Sequence, residues 1–148
     1  QRAIVRNSDT IEGPDLDIAI KQAIEKAYQS IVSTYHRATS SSRADATFNQ
    51  VLLACALCQK DELGFFTPRQ VVKPMSIIMG KPYKTNGISP QLHSFCEEDK
   101  GPVLQKRGKS RKFRFRFINP MMQPYAIMYG LAHKIININQ LAPLSKDI

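Results

Sequence analysis

Apolar residues recur at three- and four-residue steps from Leu16 through Ile20, Ala23, Ile24, Ala27 and Ile31 to Tyr35. That spacing lines one stripe of an α-helix, and Gly13-Pro14-Asp15 ahead of it is a helix start. The pattern stops in the polar cluster Thr39-Ser40-Ser41-Ser42, which predicts a short linker and a boundary near residue 42. A second helix places Phe48, Val51, Leu52, Cys55 and Cys58 on one face and ends by Asp61-Glu62-Leu63-Gly64, where glycine suits the left-handed C-terminal turn. Its unbroken apolar run, Val51 to Cys58, predicts deep burial.

Phe65-Phe66 predicts a very short strand, and Thr67-Pro68 supplies an N-cap and a proline at the first position of a third helix. Val71, Val72, Met75, Ile78 and Met79 form its apolar set, while Pro74 removes a backbone donor and predicts a kink or restart. Gly80-Lys81-Pro82 ends it, Asn86-Gly87 marks a turn, and Ser89-Pro90 opens a short helix with Leu92, Phe95 and Cys96 inward. A hairpin follows: a strand over Pro102–Lys106, a turn through Arg107–Ser110, and a strand over Arg111–Phe117. Side chains two apart in a strand share a face, so Phe113, Phe115 and Phe117 are expected on the core, with Lys112, Arg114 and Arg116 as a solvent-facing row. Beyond Asn119-Pro120, a terminal helix carries Met128, Leu131, Ala132 and Ile135 on one face, and Met121, Met122 and Met128 are expected to pack structurally.

This order predicts a mainly α fold with a small β-hairpin, that is, α+β. More closely, it predicts a winged helix, the helix-turn-helix variant with a β-ribbon attached. The expected organisation is an amphipathic helix over 1–42, a winged-helix domain over 43–118, and a C-terminal helix and tail over 119–148. The segments FNQVLLACAL from Phe48, DELGFFT from Asp61, GPVL from Gly101 and FRFRFINPMMQPY from Phe113 resemble the C-terminal region of prokaryotic AAA+ ATPases of the origin-recognition type. The preceding helix is similar to the end of their lid subdomain. The resemblance covers roughly Ala38 to Leu131 and implies a winged-helix module used for DNA or for a partner protein. The chain opens on Gln1 and not on methionine, which fits a piece of a longer protein.

Charge sharpens the picture. The chain carries 21 Lys and Arg against 12 Asp and Glu, a net charge of +9. Acids and bases balance over residues 1–40, whereas Lys106, Arg107, Lys109, Arg111, Lys112, Arg114 and Arg116 crowd into the hairpin without an intervening acid. Such a patch attracts polyanions, although charge on an edge strand also protects against aggregation. The helix before it offers Gln91, His93 and Ser94 as possible recognition residues, but it ends in Glu97-Glu98-Asp99, which oppose phosphates. Two modes follow: DNA binding led by the wing with little sequence discrimination, or docking on the parent ATPase core or an acidic partner protein.

No apolar run approaches the roughly 20 residues that cross a bilayer, so no membrane partner is expected. Three cysteines cannot all pair, and a cytoplasmic, reducing location is expected. Cys55 and Cys58 with His93 and Cys96 have a formal zinc spacing, but the first two lie in an apolar run where cysteine acts as a buried hydrophobe, so no metal is assigned. Gly80-Lys81-Pro82 lacks the other residues of a phosphate-binding P-loop, and no cofactor is implied. His36, His93 and His133 sit in separate segments without triad partners. The expectation is therefore a non-enzyme.

Overall fold

The computed structural model describes residues 13–43 and 46–147, so residues 1–12 of the predicted 1–42 segment, positions 44–45 and the terminal residue lie outside it. The described chain is mainly helical with a small two-stranded antiparallel sheet, the α+β composition that the periodicity predicts. It divides between Val32 and Ser33 into two units. The first consists of the greater part of helix α1 (Gly13–Thr39), on which Leu16, Ile20 and Ile24 of the predicted apolar stripe are exposed.

In the second unit, the end of α1 is anchored by Tyr35 and Ala38, both buried. The Tyr35 ring packs at 4.6 Å from that of Tyr129 and 5.2 Å from that of Tyr125. Its hydroxyl accepts a hydrogen bond from Asn49 Nδ2 at 2.9 Å, and burial raises its pKa above the ordinary tyrosine value. Helix α2 (Phe48–Leu57) is wrapped on all sides, and every residue from Val51 to Cys58 is buried. It packs on α3 (Pro68–Met79) and on α5 (Met122–Ala132). Gly130 makes the second contact possible, because a Cβ there would stand 2.8 Å from Leu53 Cδ2.

Thr67 and Gln70 form a reciprocal cap on α3, with the Thr67 amide donating to Gln70 Oε1 at 2.8 Å. The restart expected at Pro74 does not occur, and α3 continues through it as one helix. Proline forfeits one intrahelical bond, while Val71, Pro74 and Met75 are buried together and hold the helix in register. Gly80, at φ 69°, closes α3 as predicted, its amide donating to Ser76 O. Helix α4 (Ser89–Ser94) starts on Ser89-Pro90 as expected and buries Leu92, with Phe95 buried directly after it.

Strands β1 (Leu104–Arg107) and β2 (Arg114–Phe117) are antiparallel, with Leu104 opposite Phe117 and Arg107 opposite Arg114. The second strand is shorter than predicted, because Arg111 and Lys112 belong to the connecting turn. Arg111 takes φ 71°, and the Lys112 amide donates to Lys109 O at 2.8 Å. The short strand expected at Phe65-Phe66 is a single bridge: the Phe66 and Phe115 amides each donate to the other's carbonyl at 2.8 Å. The terminal helix is also shorter than predicted. Helix α5 stops at Ala132, Lys134 turns at φ 59°, and α6 (Ile138–Leu141) follows. Ile136 and Leu144 then join Leu53 and Leu57 in one core cluster. Of the methionines expected to pack, only Met122 is buried; Met121, just ahead of α5, and Met128 on α5 are exposed.

Candidate nucleic-acid interface

Register decides which hairpin cations face which way, because residues directly opposite across two strands share a face. Lys106 pairs with Phe115 and so lies on the same side as the core phenylalanines. Its ammonium sits 5.1 Å from the centre of the half-buried Phe113 ring and donates to His93 Nδ1 at 3.1 Å. Lysine has no acceptor, so this contact requires an unprotonated Nδ1. Burial, and then the adjacent Lys106 charge, hold the His93 imidazole below the ordinary histidine pKa.

Arg107, Arg114 and Arg116 occupy the opposite face. Arg107 and Arg114 stand directly across from each other, an unfavourable like-charge pair unless something offsets it. Asp61 and Phe65 provide the offset. Arg114 Nη1 lies 3.8 Å from Asp61 Oδ2, and the Arg114 and Arg116 guanidinium carbons lie 4.7 and 4.5 Å from the centre of the Phe65 ring. Asp61 Oδ1 also accepts the Leu63 and Phe65 amides at 2.9 Å each, fixing the loop that presents Phe65. Arg116 further donates to Leu63 O at 3.3 Å, and Gln105 accepts from Arg116 Nη2 and Nε when its amide is oriented to satisfy both groups. The predicted solvent-facing row is thus corrected. Arg116 is half-buried and bound to protein, Arg114 is exposed but paired, and among the described residues only Lys112 of the three stands away from protein partners.

An open groove of about 660 Å³ lies between the start of α3, helix α4 and the hairpin turn. Arg69, Arg111, Lys112 and Arg114 line it together with His93, Thr67, Thr85, Ser89 and Phe113, and none of its lining residues is acidic. Of the three possible recognition residues, only His93 faces this groove. Gln91 and Ser94 line a separate one of about 490 Å³ beside Arg43 and Phe48, and Gln91 donates to Thr47 Oγ1 at 3.3 Å. Helix periodicity explains the split, because His93 is two positions from Gln91 and turns to the other side of a helix this short. Lys106, Arg107, Lys109 and Arg116 do not line the groove; Arg107 and Lys109 are exposed near the hairpin tip.

Sequence reasoning missed Arg69, Asp61 and Phe65. Arg69 is an isolated cation at the second position of α3, and only the tertiary fold brings it opposite the turn. The formal zinc set does not assemble around the α2 cysteines. Cys55 and Cys58 are buried, Cys58 Sγ donates to Cys55 O at 3.2 Å, and burial pushes the Cys55 thiol pKa well up. Among the described residues, no group of three or more His, Cys, Asp or Glu is placed to hold a metal ion, and no helix is long and apolar enough to cross a membrane. No protein family, no curated protein and no solved structure matched this chain.

Proposed function

We propose that this chain is a non-catalytic winged-helix module that binds nucleic acid, DNA foremost, through its basic wing and with little sequence specificity. The order α2, Phe66 bridge, α3, α4, β1, β2 supports the winged-helix reading, since the bridge on Phe115 makes a third strand position beside the hairpin. The observation that carries the functional reading is the groove whose charged lining residues are all cationic, from α3, from the hairpin turn and from the start of β2. Phosphate contacts from Lys and Arg give affinity without base discrimination. Helix α4 spans only Ser89–Ser94, about 9 Å at 1.5 Å per residue, and contributes His93 and Ser89 to the groove, which favours the wing over this helix as the main contact. The resemblance to origin-recognition-type AAA+ ATPases extends the proposal to a module serving an ATPase core.

Fluorescence-anisotropy titration with an unrelated DNA duplex at several salt concentrations tests this. Each phosphate neutralised contributes a slope of about −0.9 to log affinity against log salt, so replacing Arg111 and Lys112 by Ala should make the slope shallower by about 1.8. Absence of binding by the unaltered chain at low salt would refute the reading. It would point instead to the competing mode, docking on an ATPase core or a partner protein, for which exposed Glu97, Glu98 and Asp99 offer a complementary charged surface.

A further inference from the structure

A second groove, of about 540 Å³, adjoins the first and shares Thr67 and Arg69 with it. Gln59, Gln70, Lys73 and Pro74 complete its lining, so again no lining side chain is acidic. Arg69 and Lys73 are four apart on α3 and both exposed, while Val71, Pro74 and Met75 turn the helix's other face into the core. One helix surface therefore carries two cations on a rigid, twelve-residue element directly beside the wing groove. Gln70 lies between them in sequence, and although its Oε1 caps the helix start, its Nε2 is a donor of the kind that hydrogen-bonds phosphate and sugar oxygens.

The aromatic side chains near this surface bear on which nucleic acid it fits. An unpaired strand is held by stacking its bases on open aromatic faces. Here Phe65 lies under Arg114 and Arg116, Phe115 and Phe117 are buried, and Phe113, half-buried in the wing groove, is contacted by Lys106 and packs at right angles to His93. These faces are already occupied by the protein's own cations or by the core. What the described lining of the two grooves presents is positive charge and neutral hydrogen-bonding groups, which match a continuous sugar–phosphate backbone.

We propose that Arg69 and Lys73 of α3 continue the wing's cationic turn into one phosphate-binding face that takes the backbone of duplex nucleic acid in preference to a single strand. This rests on the nucleic-acid reading above and goes beyond it in naming α3 as a second binding element and the duplex as the ligand. The test is anisotropy titration of the whole chain with a 20-base-pair duplex and with one of its strands alone, across a salt series, for the unaltered protein, R69A, R69K, K73A and K134A. Lys134 is an exposed cation that lines neither groove, so its removal controls for net charge. R69A and K73A should each make the duplex salt slope shallower by about 0.9, K134A should leave it unchanged, and R69K should restore it. The duplex should bind more tightly than the strand at matched salt. Slopes unaltered in R69A and K73A, beside a shallower slope in the Arg111 and Lys112 double variant, would overturn the role of α3 and leave the wing reading standing. Equal or tighter binding of the single strand would overturn the duplex preference. No binding of either probe by the unaltered chain would sink the underlying reading itself.

Discussion

Replacing Gly108 by Ala should damage the wing through two separable terms. Gly108 sits at φ 103°, a conformation that costs an L-residue about 1–2 kcal/mol. A Cβ built there would also stand 2.6 Å from Lys112 O, a backbone atom that cannot swing aside as a side chain would. The turn must therefore open, and the bond from the Lys112 amide to Lys109 O is the one it loses, worth about 1 kcal/mol. Together the loss is about 2–3 kcal/mol, with the core left intact because the turn is exposed. Gly80 isolates the first term: it too has a positive φ, 69°, but nothing lies within 4 Å of a Cβ built on it. Gly80→Ala should cost about 1 kcal/mol, so Gly108→Ala should be the more damaging by about 1–2 kcal/mol in urea unfolding. Binding should fall as well, since Arg111 and Lys112 stand on the distorted turn. A Gly108→Ala protein as stable as Gly80→Ala, with undiminished affinity for duplex, would refute the steric argument and the wing's role together.

Gly130→Ala pits helix propensity, a gain of about 1 kcal/mol, against a Cβ 2.8 Å and 3.2 Å from the two Leu53 methyls. Leu53 is buried among Leu57, Ile136 and Leu144 and has little room to yield, so urea unfolding should show a net loss of about 1–2 kcal/mol, relieved when Leu53 is also shortened to Ala. His93 should make polyanion binding pH-dependent. Its free-protein pKa is lowered by burial and by Lys106, Arg69 and the turn cations face the same groove, and a bound polyanion favours the protonated ring. Affinity should therefore rise as pH falls toward and below the ordinary histidine value, then level off below the lowered one; anisotropy titrations between about pH 8 and 5 would show a flat profile in His93→Gln if this ring is responsible.

The local patterns were readable because they depend on neighbours in sequence. The Thr67-Pro68 start, the glycine stop at Gly80, the Ser89-Pro90 start and the Phe115 and Phe117 alternation all appear where spacing predicts them. What spacing could not supply was register and distant company. Alternation shows that Arg114 and Arg116 share a face, but Asp61 and Phe65, some fifty positions away, turn that face from open charge into a packed one. Lys106 likewise needs its pairing with Phe115 before its side is known. Pro74 was read by its missing donor alone, whereas its burial beside Val71 and Met75 keeps α3 whole.

These distant contacts redistribute the wing's charge as well as describing it. A cation held by a carboxylate, an aromatic ring or a carbonyl must leave that partner, or share it, to meet a phosphate, and an exposed pair such as Arg114 with Asp61 costs up to about 1 kcal/mol to break. Lys106, Arg114 and Arg116 are in this position. Arg107, Lys109, Arg111 and Lys112 are exposed without such ties among the described residues. The hairpin's effective charge is thus concentrated at its turn and not spread along its strands. Arg69 lines the same groove as Arg111 and Lys112, so a ligand drawn to the turn has a further cation on α3 within the one groove. Counting the cluster as seven equal cations overstates its binding valence, and a measured salt slope well below that expected for seven phosphates is what this arrangement requires.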